Sequence, residues 1–366
     1  MRAPAVLSCL ALASGATLLA TPAAADPPLT CGSTVTVSRS LGSDLTCPGP
    51  GPALMLTAGV KLDLAGHTLR GPGKGVSVGI GVPVHGNVAI GHGTITGWSA
   101  GVQTVGSDDA GSAGVVVVHD VTFDGNTTGL DASGDLGAGR FGKLHKVHAS
   151  TFTHNARGIL AGWFTTVDVT SSSFADNGTS VAVDSSTVTV ADSRIERSTR
   201  GFELWEATAT IRRSTLLEND QAVLLHAMSA VTMADSTVKG SDVAVSGSGY
   251  TSVTLTGSTF ASNTTAVAFD EGGGSLTGNT FRANGTGFVS TAPGTEATVL
   301  RDNVFRLNGD GIRIEAGDAM TSLGGNTSND NTGWGIYAPG VVDLGGNTAR
   351  RNGRTPQCVG VVCPVS

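Results

Sequence analysis

Four residues in the middle of the chain have the chemistry to work on a sugar. Asp184 and Glu203 are carboxylates, which can act as acid and base in glycoside hydrolysis when they flank one ring. His226 can take the proton beside a uronic-acid carboxylate, the step that a lyase or an epimerase needs. Trp205, with Trp163 earlier in the chain, offers an apolar face on which sugar rings stack. These residues are far apart in sequence. A periodic element must bring them together.

That element is a repeat. The stretch STFASNTTAVAF (258–269) returns as STFTHNARGIL (150–160), SSFADNGTSVAV (172–183) and NTFRANGTGFV (279–289). Aligned on its Asn, the column runs Pro72, Trp98, Asn126, Asn155, Asn177, Ser198, Asn219, Ser241, Asn263, Asn284, Asn308, Asn331 and Asn352. Three residues before each anchor an apolar column holds Phe123, Phe152, Phe174, Phe260, Phe281 and Phe305. Four residues after, another holds Ile159, Val181, Phe202, Val223, Val267 and Ile312. Five before the anchor is a polar column, with Ser150, Ser172, Ser193, Ser214, Ser236 and Ser258 followed by Asn279, Asn303, Asn326 and Asn347.

Within each unit the apolar residues alternate, as in Val188-x-Val190 and Ile312-x-Ile314. Period 2 means strand. A unit of two or three such short strands cannot bury its own apolar face, whereas stacked units bury each apolar column against itself. The pattern predicts a single-domain right-handed parallel β-helix, an all-β solenoid of about thirteen coils and roughly 60 Å long. Stacked Asn side chains are expected to form a hydrogen-bonded ladder, with Asn itself taking the left-handed turn.

The register also separates inward from outward positions. After each anchor, plus four and plus six point inward, and plus five and plus seven outward. The outward pairs are Asp131/Ser133, Leu160/Gly162, Ala182/Asp184, Glu203/Trp205, Leu224/His226, Ser246/Ser248, Ala268/Asp270 and Arg313/Glu315. Asp184, Glu203, Trp205 and His226 thus share one face on three consecutive coils. Neighbours there are about 5 Å apart and diagonals about 7–8 Å. Asp184, Glu203 and His226 are the expected catalytic residues, and Trp163 and Trp205 the expected substrate-binding ones. An outward face is also normally polar, so the same residues fit a solvated surface without chemistry. An acidic groove would repel an acidic polymer unless Ca2+ bridged the two. Asp131, Asp168 and Asp184 could contribute to such a site, although no dedicated calcium loop is present.

Composition agrees with this architecture and narrows the partners. Gly is abundant, at 53 residues, and charged residues are only 14%. The formal net charge is −7 and no Lys/Arg run occurs, which argues against a nucleic-acid partner. Residues 1–25 read as a secretory signal: Arg2, an apolar run from Ala5 to Ala20, and Ala23-Ala24-Ala25 before Asp26. No segment reads as a membrane span, so the mature chain is expected to be secreted. Four cysteines then remain: Cys31, Cys47, Cys358 and Cys363. Three pairings exist on paper. Export favours disulfides over metal, and the ends of a rod cannot meet, which leaves Cys31–Cys47 and Cys358–Cys363. The expected organisation is a cap at 26–52, the helix at 53–353 and a second cap or tail at 354–366.

The segment GVKLDLAGHTLRGPG (59–73), followed by NVAIGHGTITGW (87–98), resembles the first coils of secreted right-handed parallel β-helix proteins of the pectate-lyase-like superfamily. The repeat extends the resemblance over roughly residues 55–353. It implies polysaccharide lyases, hydrolases and epimerases, alongside tailspikes and adhesins. Gly91-His92-Gly93 is similar to a polygalacturonase motif, with Asp108-Asp109 as the carboxylate pair. The order is reversed, however, and the register places His92 in a turn column with Gly66 and Asp120. Arg313-Ile314-Glu315 lacks that family's lysine and reads as an ordinary strand. His67, in the Ser/Asn column, reads as a ladder residue. It shares no metal-ligand spacing with His145 or His148, and no metal ligand is expected. A copper-related periplasmic helper of the same fold finds no support, because Met and His do not cluster along the chain. Two functions follow: an extracellular polysaccharide-binding or polysaccharide-processing protein, or a non-catalytic rod displaying its surface to a partner.

Overall fold

The structure is a computed structural model, and it describes residues 27–105, 114–133, 143–294, 296–315 and 319–364. The signal segment and Asp108-Asp109 lie outside the described residues. Among the described residues there is no helix. Among these residues, accordingly, no helix is long and apolar enough to cross a membrane.

A typical coil contributes three strands, as in Thr187–Ala191, Arg194–Glu196 and Arg200–Trp205, while Val88–Thr96 and Val115–Asp124 each run through the first two. Every strand pairs in parallel with its counterparts in adjacent coils. Phe152 faces Phe174, and Val181 faces Phe202, without slippage. The third strands form a front sheet of fifteen parallel members. Two of them, Ser33–Val35 and Leu54–Leu56, precede the first anchor Pro72, so the rod is longer at its start than the thirteen anchors indicate. At the far end Cys358–Val359 closes the sheet. The disulfides are Cys31–Cys47 and Cys358–Cys363, one near each end.

The core is the inward columns. Phe123, Phe152 and Phe174 stack with centroids 4.7 Å apart, and Phe260, Phe281 and Phe305 repeat this at 5.0 and 4.5 Å. In one middle coil Phe202, Leu204, Ile211 and Leu216 are all fully buried. Each such side chain stabilises by about 1.5–3 kcal/mol, against the entropy of ordering its coil.

Two buried polar ladders run beside the core. Asn263 donates from its backbone N and its Nδ2 to Asn284 Oδ1, both at 3.0 Å. Asn284 does the same to Asn308, Asn308 to Asn331 and Asn331 to Asn352. The Ser column continues from Ser258 into Asn279, Asn303, Asn326 and Asn347. The left-handed residue is not the Asn, as expected from sequence, but its predecessor: Asp176, Ser262, Ala283 and Leu307 have φ of 55–59°. The Asn is needed one step later, where its carbonyl oxygen accepts the backbone N–H of the preceding coil's anchor. His67 does not continue the Ser ladder either. Its Nδ1 lies 3.2 Å from Asp44 Oδ1, at the partly exposed start of the rod.

Candidate functional site on the front sheet

Glu203 and Trp205 lie on the strand Arg200–Trp205, next to Thr179–Asp184 on one side and Gln221–Leu225 on the other. Inward Phe202 and Leu204 anchor this strand, so Glu203 between them and Trp205 after them must point outward. Register sets Asp184 beside Trp205, and Ala182 and Leu224 beside Glu203. His226 follows directly, its N donating to Leu204 O at 2.9 Å.

The Trp205 and His226 rings stack with centroids 3.5 Å apart and planes 12° from parallel. Trp205 remains 49% exposed. Beneath the stack Glu203 Oε1 is 3.6 Å from His226 Nε2, an ion-pair separation too long for a hydrogen bond. Arg200 Nη1 stands 3.6 Å from Glu203 Oε2, which also accepts from Thr179 Oγ1 at 3.4 Å. Burial pushes the His226 imidazole below its ordinary value, and Arg200 pushes the same way, while Glu203 opposes them. A neutral imidazole results. Arg200 Nε, His226 Nε2 and Ser246 Oγ, on or directly after three successive front strands, have no hydrogen-bond partner.

Of the sequence-predicted residues, the fold gathers Glu203, Trp205 and His226. Asp184 is on the opposite side of Trp205 from His226, and its Oδ1 accepts from Ser185 Oγ at 3.0 Å. Trp163 is further off. Its N donates to Asp184 O, which sets it two coils from Trp205, about 10 Å along the rod. Trp163 and the exposed Phe164 occupy a left-handed turn, at φ of 57° and 59°. The three aspartates considered for Ca2+ are not assembled. Asp168 is on a rear strand, Thr166–Thr170, while Asp131 accepts from Gln103 Nε2 at 3.0 Å, two front strands from Asp184.

The sequence reading missed Arg200, Thr179 and a second aromatic group on the same face. Next to His226 the face carries a depression of about 150 Å³, lined by Leu224, Ser246, Ser248, Ala268, Asp270 and Thr291. Farther along, Trp334 and Tyr337 pack at 5.0 Å with Arg354 over the Trp334 ring at 5.3 Å. With Arg313 and Glu315 they line a depression of about 370 Å³. Counting from Asn331 does not find it: plus five is the buried Ile336, and a one-residue shift in this coil sets Tyr337 in the column of Arg313. Ile314 is inward, as expected, and Arg313 Nη2 meets Glu315 Oε1 at 2.7 Å.

Fold and face define a parallel β-helix with a polar–aromatic strip on its front sheet. Residues 200–352, which include Glu203, Trp205, His226, Trp334 and Tyr337, match the protein family described as "Right handed beta helix region". A comparison with curated proteins finds no match. Among solved structures, the chain is similar to the catalytic unit of an alpha-1,3-glucanase from Streptomyces thermodiastaticus, at 13% identity and TM-score 0.46, over 90% of this chain and 64% of that one. It is similar to a mannuronan C-5 epimerase A-module from Azotobacter vinelandii, at 14% identity and TM-score 0.45, over 87% and 91%. It is also similar to a tailspike protein mutant of E. coli bacteriophage HK620 in complex with a pentasaccharide, at 13% identity and TM-score 0.46, over 90% and 73%. The chain thus spans less than two thirds of the glucanase unit.

Proposed function

We propose that the protein binds an extracellular polysaccharide along the outer face of the front sheet. The observation that carries this reading is the Trp205–His226 stack, half open to solvent, with Glu203 and Arg200 beside it. An indole face takes the apolar side of a sugar ring, and flanking charged groups bond its hydroxyls. Trp334 and Tyr337 lie six front strands on, roughly 30 Å away, so an extended polymer would meet both groups. Two disulfides fit an oxidising, extracellular compartment.

Processing of the polymer is the finer reading. The neutral imidazole of His226 suits a general base, and Glu203, 3.6 Å away, would stabilise the imidazolium formed when a proton arrives. Asp184 and Glu203 occupy diagonal positions, a spacing that leaves room for water between two carboxylates. The openness of Trp205 favours binding without turnover, since an uncovered site does not exclude water.

A panel of neutral and uronic-acid polysaccharides tests both readings, scored for binding and for new reducing or unsaturated ends. We expect retention of at least one polymer, lost in Trp205→Ala. A panel with no binding at all overturns the proposal. Product formation abolished by His226→Ala and Glu203→Gln would support turnover. Product formation that survives both removes those residues from the mechanism.

A further inference from the structure

We propose that a corner of the rear faces, built from His92, His119 and Asp120 with Asp63 behind them, binds a divalent transition-metal ion of the Zn2+ or Cu2+ class. The repeat creates this corner out of residues that show no metal-ligand spacing in sequence. Register places Asp63, Gly91 and His119 in one column across three successive coils. The next position on the last two coils holds His92 and Asp120, each in a left-handed turn with φ of 54°. The chain therefore brings two imidazoles together, although Met and His do not cluster along it.

Gly91 is what lets the two rings meet. The His119 imidazole lies back across it. A Cβ at position 91 would sit 2.3 Å from His119 Cε1 and 2.6 Å from Nε2. In this position His119 meets His92 edge to face, with centroids 4.7 Å apart. Asp120 Oδ2 is 3.2 Å from His119 Nδ1 and 3.7 Å from His92 Nε2. One ligand atom from each of the three residues lies within 4.8 Å of the other two. Ligands around a tetrahedral ion, at about 2.0–2.1 Å from it, are about 3.3 Å apart. The trio needs only side-chain rotation to close on an ion, and His92 and Asp120 are both more than half exposed.

Asp63 supplies the orienting contact. Its Oδ1 is 3.2 Å from His92 Nδ1 and accepts the Ala65 N–H at 2.8 Å. A proton on Nδ1, directed to Asp63, leaves the Nε2 lone pair free on the side of Asp120. This is the carboxylate–histidine–metal arrangement that fixes a ligand's tautomer. Two imidazoles and one carboxylate favour Zn2+ or Cu2+ over Ca2+ or Mg2+, which prefer all-oxygen shells. Three protein ligands leave positions for water. The corner lies on the rear strands Val88–Thr96 and Val115–Asp124, so it stands independently of the front-sheet reading.

Calorimetric titration of the full chain with Zn2+, Cu2+ and Ca2+ tests the proposal, with electron paramagnetic resonance of the Cu2+ form. We expect one equivalent of Zn2+ or Cu2+, nitrogen hyperfine structure, and no matching Ca2+ event. His92→Ala and His119→Ala should remove binding. Asp63→Asn, which touches no metal, should weaken it about 10–100-fold. His92 is an exposed turn residue, so His92→Ala keeps the test valid if His119→Ala fails to fold. The proposal is overturned if neither ion binds saturably, if binding survives His92→Ala, or if only His226→Ala removes it.

Discussion

The buried Asn ladder and the Trp205 face are made by the same repeat, yet they treat polar groups in opposite ways. Along Asn263, Asn284, Asn308, Asn331 and Asn352 each amide nitrogen finds a backbone carbonyl, and each carbonyl oxygen takes bonds from the coil before. On the front sheet Arg200 Nε, His226 Nε2 and Ser246 Oγ are buried without partners, and the Trp205 indole on the same sheet is half open to water. Ser241 Oγ breaks the column, but the run of five Asn that follows satisfies itself and leaves nothing for a ligand to bond. Exposed apolar surface flanked by charged groups is where a ligand gains something.

The largest expected effect is on the ladder. Asn308→Ala would orphan the backbone N of Asn284 and strip Phe281 O of its amide donor in a dry interior, and it would take one of two acceptors from Asn284 Nδ2 and one of two donors from Asn331 Oδ1. Each unsatisfied buried group costs about 1–3 kcal/mol, so stability should fall by at least ~3 kcal/mol, read as a lower urea midpoint. Polysaccharide binding by the protein that still folds should be unchanged. An unshifted midpoint would mean that side-chain ladders are incidental to this rod.

Acid offers a second comparison, between His145 in the interior and His226 on the face. Desolvation holds the His145 imidazole down at about 4, with nearby Lys143 acting the same way. His145 is buried neutral, 3.3 Å from Thr104 Oγ1 through its Nε2. Its folded value is depressed, so its contribution is complete above the ordinary imidazole range near 6.5. Below that range the unfolded chain takes up a proton that the folded chain refuses. Between about pH 6.5 and 4 stability should drop by on the order of 3 kcal/mol through this residue alone. His145→Leu should flatten that slope in denaturation curves across the window. His226, lowered in the same direction but only partly buried, should leave most of the slope intact when replaced by Gln. The reverse ranking would show that burial is not the cause.

What was legible in the sequence divides along the same line. The ladders, the Phe stacks and the outward placement of Glu203, Trp205 and His226 were readable because identical columns repeat at each coil and the period of two fixes facing. Trp163 was legible in the same way: counting anchors places it just past the strand, one coil before Asp184 and so two from Trp205, and what the count does not show is its left-handed turn. Asn tolerates left-handed geometry, which points to it as the turn residue, whereas the turn falls on its predecessor and the hydrogen-bond demand on the Asn itself. The His92–His119 pair was hidden more deeply. The two stand in adjacent columns of adjacent coils, and only the ring's lean over Gly91 joins them.

Trp205→Ala should invert the behaviour of the ladder variant. The side chain is half exposed and its main partner is the His226 ring, so its loss should change stability by about 1 kcal/mol or less. Polymer retention should nonetheless disappear. A variant that unfolds would reassign Trp205 to the scaffold, and one that binds as well as wild type would remove it from the ligand face.

The smallest effect is expected from a third ladder, which looks the strongest in contacts. Arg197 meets Asp176, Arg213 meets Asp192 and Arg351 meets Asp330, each pair bidentate across neighbouring coils, with Arg213–Asp192 bonds of 2.8 Å. Each carboxyl is held below its ordinary value by hydrogen bonding to its Arg, so the pairs are charged at neutral pH. They stand at the left-handed turn positions, exposed to solvent. Water and salt screen what the buried amides keep. Arg213→Ala should leave the urea midpoint unchanged within error at moderate salt, although it breaks two short bonds where Asn308→Ala breaks ordinary ones. A clear fall in midpoint, insensitive to added salt, would show that the exposed pairs clamp the coils together. Burial would then no longer separate the columns that hold this rod from those that only decorate it.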